Sequence, residues 1–134
     1  MNAGWRQLWA LCQAAYALAR LCFSQMATQN SKWITVFRNR LRADAGTDYG
    51  DVATRMRELA KSMPGYVSFK TFTAEDGERV SIIEFDSLES LLGWKNHPEH
   101  RAAQERGREA YYEEYSVQSA EVAREYRFRL ERDA

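Results

Sequence analysis

Apolar residues follow two rhythms along this chain, and the changes of rhythm divide it into elements. From Trp33 to Leu41 (WITVFRNRL) they are β-branched or aromatic and alternate with polar residues, as in a strand. After a loop at Ala43–Thr47, the spacing of Tyr49, Val52, Ala53, Met56, Leu59, Ala60 and Met63 becomes helical, with Arg55, Arg57, Glu58 and Lys61 on the other side. Pro64-Gly65 ends that helix. Tyr66–Thr73 and Arg79–Phe85 read as two strands joined by a hairpin at Ala74–Gly77. The alternation in Tyr66–Thr73 is not clean.

Asp86 and Ser87 compete as N-cap of a short helix whose buried face is Leu88, Leu91 and Leu92, with Asp86 and Glu89 as a capping-box-like pair. Asn96-His97-Pro98 interrupts it. Pro98 suits the first position of a new helix, which makes His97 its N-cap, with Asn96 as the alternative. Helical character continues to Tyr115. Along this piece His100, Ala103, Gly107 and Ala110 share a face. Gly107 inside a helix costs about 1 kcal/mol relative to Ala, so close packing or function has to hold it there. A last strand is expected over Ser116–Phe128, with a bulge near Ala120 to reconcile Val117 with Val122, Arg124, Tyr126 and Phe128. Residues 130–134 form a charged tail.

The order strand, helix, strand, strand, helix, strand predicts an α+β, ferredoxin-like βαββαβ fold: a four-stranded antiparallel sheet with its helices on one face. The domain is expected over residues 31–129. The uncovered sheet face is expected to carry Trp33, Phe37, Phe69 and some of the tyrosines. Two such faces packed together give a homodimer, closing an α+β barrel.

Residues 1–30 stand apart as an N-terminal helical extension, rich in Ala, Leu and Trp. The run between Arg6 and Arg20 is too short to span a membrane. Three readings stay open: a signal segment, an interfacial or partner-binding helix, or sequence upstream of a natural start at Met26. Cys12 and Cys22 lie about 15 Å apart if this stretch is one helix, too far for a disulfide. The Cys-free remainder fits a reducing compartment, so a cytoplasmic protein is expected. Charge adds one exclusion. With 19 basic and 19 acidic residues the net charge is zero, unlike a dedicated nucleic-acid binder.

The richest chemistry lies in Trp94–Tyr115, WKNHPEHRAAQERGREAYYEEY. His97, Glu99 and His100 cluster there, but the HExxH spacing is missing and no metal is expected. There is no phosphate-cradling glycine loop.

The stretch SLESLLGWKNHPEHRAAQERGREAYYEEY, with the Pro64-Gly65 break and the Asp76-Gly77 turn, resembles the antibiotic biosynthesis monooxygenase (ABM) family of dimeric α+β barrel proteins over Lys32 to Phe128. The resemblance implies a monooxygenase that oxidises an electron-rich aromatic, anthrone or quinol-type molecule with O₂ and no metal or flavin. It assigns catalytic roles to Asn39, Trp94 and Arg108. Phe37, Phe69, His97, His100 and Tyr112 are the residues expected to bind substrate. Haem-degrading relatives carry an axial His ten residues beyond the Trp. Here that position is Gln104, which removes the ligand. A non-catalytic small-molecule-binding or stress-related protein of the same fold is the alternative, with a haem-binding or haem-degrading protein ranked behind it.

Overall fold

A computed structural model describes residues 31–131. The N-terminal extension and its three readings lie outside the described residues. The elements are β1 (Trp33–Leu41), α1 (Tyr49–Ser62), β2 (Tyr66–Thr73), β3 (Arg79–Phe85), α2 (Leu88–Asn96), α3 (Pro98–Arg106), a π-helical turn at Gly107–Tyr111, and β4 (Tyr112–Glu121). The sheet is antiparallel in the order β2-β3-β1-β4, so β1 and β3 are central. This is the ferredoxin-like α+β fold expected from the element order.

The local chemistry explains the boundaries. Asp48 stands at the N-cap position of α1, but its carboxylate makes no cap bond there. Gly65, at φ +75°, turns the chain into β2. An added Cβ there would collide with Asp86 and Ser90. Ser87, not Asp86, caps α2 by accepting from the Ser90 amide. Its partner is Ser90 rather than Glu89, and the Ser90 hydroxyl donates to Asp86. His97 caps α3 as expected, its Nδ1 accepting from the Glu99 amide at 3.2 Å, with Pro98 opening the helix.

The last third of the chain differs from expectation. Helix gives way to the π-turn at Gly107, whose carbonyl accepts from the Tyr112 amide. Tyr112 and Tyr115 therefore belong to β4. Gly107 is held by close approach: a Cβ would sit 2.5 Å from the Tyr112 ring. The bulge falls at Glu113, not near Ala120, because Arg40 pairs with Glu114 and Leu41 with Tyr112. β4 ends at Glu121, opposite the first residue of β1, and the last rung is the Val122 amide on the Lys32 carbonyl. Beyond it, none of the described strands is left to pair with. Tyr126, Phe128 and Leu130 are exposed at 83%, 78% and 69%, so the expected strand to Phe128 is about seven residues too long.

Sheet parity corrects a second expectation. On β3 the buried residues are Ser81, Ile83 and Phe85, which pair across with Phe37, Thr35 and Trp33. Trp33, Phe37 and Phe69 therefore lie under the helices, packed on a core of Leu59, Ala60, Ile83, Phe85, Leu91 and Trp94. The face turned away from the helices carries Ile34, Val36, Phe72, Val80 and Ile82, bordered by Arg38, Arg40, Lys70 and Glu84. A second bulge, at Val67, explains the broken alternation of β2, because it brings Tyr66 and Phe69 to the same side.

Phe85 is fully buried and touches the Tyr66 ring edge-on at 6.3 Å. Phe85→Ala is expected to lower unfolding free energy by about 3–5 kcal/mol, read by urea denaturation. A loss under about 1 kcal/mol would show that the core lies elsewhere.

Candidate active site

Asn39 is the buried polar residue at the end of β1, only 3% exposed. It faces the helices, with Arg79 of β3 beside it in one direction and Tyr115 of β4 in the other. Side chains paired in this way stand about 4.5–5.5 Å apart at Cβ. The Asn39 Oδ1 is buried and has no hydrogen-bond partner, and the same holds for the Arg79 Nε. A buried polar atom left without a partner costs about 1–3 kcal/mol, so an acceptor and a donor in that state on paired residues call for an explanation.

Aromatic rings wall this pair. Tyr112 meets Phe37 at 5.4 Å, Tyr115 at 5.8 Å and Tyr49 at 6.2 Å, all edge-on. Phe37 also meets Tyr115 at 5.9 Å. The Glu113 bulge makes this wall possible: Tyr112 and Tyr115 are three residues apart, and only an extra residue between them puts both on the helix side. The Arg79 guanidinium lies 5.2 Å from the centre of the Tyr49 ring, a cation–π contact. Burial, reinforced by the neighbouring Tyr49 phenol, pushes the Tyr112 hydroxyl far above the ordinary tyrosine range, so it stays protonated.

Behind the wall, Tyr111 donates to Asp48 at 2.8 Å, and Arg106 approaches the same carboxylate at 3.5 Å. The Tyr111 bond, followed by Arg106, holds Asp48 below the usual carboxylate range. These contacts tie the start of α1 to the π-turn.

Trp94 and His100 form a second centre. Their rings stack at 3.7 Å, 17° from parallel, and His100 Nδ1 lies 2.9 Å from the Trp94 carbonyl. A carbonyl can only accept, so Nδ1 carries the proton and Nε2 keeps its lone pair. Burial lowers the His100 pKa, partly opposed by that hydrogen bond. Gln104, at the position of the missing axial His, directs its amide to the Lys95 carbonyl at 3.3 Å.

The expected site residues thus fall into groups. Asn39, Phe37 and Tyr112 come together around the orphaned amide. Trp94 packs in the core that Phe37 also touches, so Phe37 links the two centres. His100 belongs with Trp94. Phe69 lies two rungs along the sheet, beside Ile83. His97 serves as a helix cap, and Glu99 next to it pairs with Arg55 of α1 at 2.6 Å. Arg108 is exposed on the π-turn, outside the aromatic wall. Arg79, Tyr49 and Tyr115 were missed. Arg79 opens its strand at a position that reads as surface. Its inward direction follows from its pairing with Asn39, which the sequence does not display.

Among the described residues, no three His, Cys, Asp or Glu side chains are placed to hold a metal ion. Nor is any helix there long and apolar enough to cross a membrane.

Fold and site together define a ferredoxin-like domain with a polar centre under its helices. The chain belongs to the antibiotic biosynthesis monooxygenase family, which its residues 33–106 match. It is 33% identical to the uncharacterised protein YqjZ of Bacillus subtilis strain 168 over 101 residues, covering 75% of this chain and 89% of that one. Among solved structures, Rv0793 of Mycobacterium tuberculosis superimposes with a TM-score of 0.63 at 19% identity, over 71% of this chain and 98% of that one. SnoaB, a cofactor-independent oxygenase from Streptomyces nogalater, does so with a TM-score of 0.61 at 13% identity, over 71% and 96%. At these identities the two structures speak for the fold.

His100 generates a pH prediction. Unfolded, it takes up a proton near pH 6.5; folded, it does so only at lower pH. Between those values the unfolded chain binds more protons, so stability present above about pH 6.5 is lost as pH falls toward the folded pKa. The thermal midpoint should decline between about pH 7 and about pH 5, and less steeply in His100→Gln. Parallel curves for the two proteins would contradict this assignment.

Proposed function

We propose that the protein is a cytoplasmic, homodimeric monooxygenase that oxidises an electron-rich aromatic, anthrone or quinol-type small molecule with O₂ and without a bound cofactor. Family membership supports oxygenase chemistry. The observation that carries the reading is the Asn39 amide oxygen, buried and unpartnered beside an aromatic wall.

The chemistry fits these groups. An anthrone or hydroquinone is acidic enough to lose a proton to a weak base. The anion passes one electron to O₂, giving a substrate radical and superoxide. The two recombine as a peroxide, and loss of water leaves a carbonyl. For a methylene carbon the balance is CH₂ + O₂ → C=O + H₂O, with the substrate supplying every electron. Asn39 holds the substrate oxygen and excludes water from it. The Arg79 cation stabilises the oxyanion as charge develops. Phe37, Tyr112 and Tyr115 give a flat ring its walls, with Trp94 behind Phe37. In this reading Arg79 takes the part that family resemblance gave to Arg108.

O₂ uptake by the full chain with a panel of anthrones and hydroquinones tests the proposal. Turnover should fall at least about tenfold, roughly 1.4 kcal/mol, in Asn39→Ala and in Trp94→Phe, and Arg79→Gln should cost more than Arg108→Gln. No uptake above the uncatalysed rate across the panel would favour the non-catalytic binding protein.

The dimer rests on the face turned away from the helices. Ile34, Val36, Val80 and Ile82 lie on the two central strands, on the face away from the helices of the described residues. A second copy of the same face covers them with matching apolar surface. Light scattering of the full chain should give twice the monomer mass at micromolar concentration, and Ile82→Glu should shift it toward monomer. A monomeric wild-type chain would sink this part of the proposal.

A further inference from the structure

We propose that Asn39 and Arg79 form a two-point subsite for an aromatic ring bearing a hydroxyl next to an oxyanion, the pattern of a catechol monoanion. The inference rests on the small-aromatic reading above and narrows it to the relation between two oxygens.

The two orphaned atoms are complementary, and they sit on side chains of directly paired residues. Asn39 Oδ1 can only accept, and Arg79 Nε–H can only donate. They belong to one cross-strand pair on the helix-facing side of the sheet. A ligand that donates to Oδ1 through a hydroxyl and accepts from Nε–H through a neighbouring oxygen satisfies both at once. A monophenol meets only one. A para-hydroquinone carries its oxygens on opposite ends of the ring and also meets only one.

Charge selects the second oxygen. Arg38, Arg40, Arg42, Arg55 and Arg106 each pair with a carboxylate. Among the described residues none pairs with Arg79. Its guanidinium rests on the Tyr49 ring, which offers no full negative charge. Tyr112 remains a neutral phenol beside it. Arg79 is half-buried, with its Nε out of solvent, and a cation so placed without a carboxylate partner favours an anionic ligand. The rings of Phe37, Tyr112 and Tyr115, packed edge-on against one another, supply the apolar surround for the rest of the ligand. Neither orphan reaches solvent, and Tyr115, at 43% exposure the most open ring of the wall, is the one that must turn to admit a ring.

The probe is 4-nitrocatechol, whose visible spectrum reports its ionisation, titrated anaerobically into the full chain below its first ionisation. Binding should bring up the monoanion band, at least about tenfold more tightly than 4-nitrophenol, as expected when one more hydrogen bond also satisfies the otherwise unpartnered Asn39 Oδ1. Arg79→Gln should abolish the band and weaken binding at least about tenfold. Asn39→Ala should reduce nitrocatechol affinity to the nitrophenol level and leave nitrophenol unchanged. Equal affinity for the two probes, absence of the band, or its persistence in Arg79→Gln would overturn the subsite and leave a bridging water as the partner of both atoms. If a variant does not fold by circular dichroism, the nitrocatechol-to-nitrophenol ratio in the unaltered chain decides alone. Because the titration excludes O₂, its failure is distinguishable from a failure of the oxygenase reading. A chain that oxidises anthrones but treats both probes alike keeps the activity and loses the subsite.

Discussion

The pairing of β1 with both its neighbours is the constraint on which the molecule depends. β3 and β4 fix which side of WITVFRNRL faces the helices, and a shift of one residue would exchange the two sides entirely. With the register as it stands, Trp33 and Phe37 enter the core, Asn39 is buried at the strand's end, and Arg79 and Tyr115 flank it. The slipped register would bury Arg38 and Arg40 under the helices and expose Asn39. Those arginines are instead paired with Glu78, Asp76 and Glu114 outside the core. Apolar packing under the helices and ion pairing on the opposite face therefore favour the same register.

This also explains what the sequence could reveal. Element order, the Pro64-Gly65 break and the His97 cap depend on local chemistry, and each is where the residues place it. Face assignment is a different matter, because both sides of β1 are apolar: Trp33, Thr35 and Phe37 on one, Ile34 and Val36 on the other. Which is buried depends on long-range pairing with Ile83 and Phe85, and period-two alternation is silent about that. The π-turn and the Glu113 bulge were illegible for a related reason. Helical spacing continues smoothly through GREAYYEEY, and only the pairing of Leu41 with Tyr112 ends it. Asn39 and Trp94 were singled out through family resemblance. Arg79 was not, since an arginine that opens a strand after Gly77-Glu78 looks like surface.

The end of β4 follows the same logic of partners. Val122, Tyr126 and Phe128 have the composition of a strand, but β4 is an edge strand with only β1 beside it. Where β1 begins, pairing ends. Propensity supplies a small preference, and without cross-strand partners it does not make a strand.

The Asn39–Arg79 pair is a local exception: among the described residues, the other buried side-chain polar atoms have partners. Tyr111, Asp48 and Arg106 satisfy one another a few residues away, and His100 has its carbonyl. An amide oxygen and a guanidinium nitrogen left unmet weaken the fold unless something else occupies them. Replacing both by apolar groups of similar shape would remove that cost, and cores readily accept such exchanges. Fold stability alone therefore gives no reason for an amide and a cation here. The aromatic wall strengthens the point: Phe37, Tyr112 and Tyr115 keep bulk water out, so any hydrogen bond formed inside is made at low dielectric, where it is strongest. A donor and an acceptor held open in such a place are suited to a ligand's oxygens.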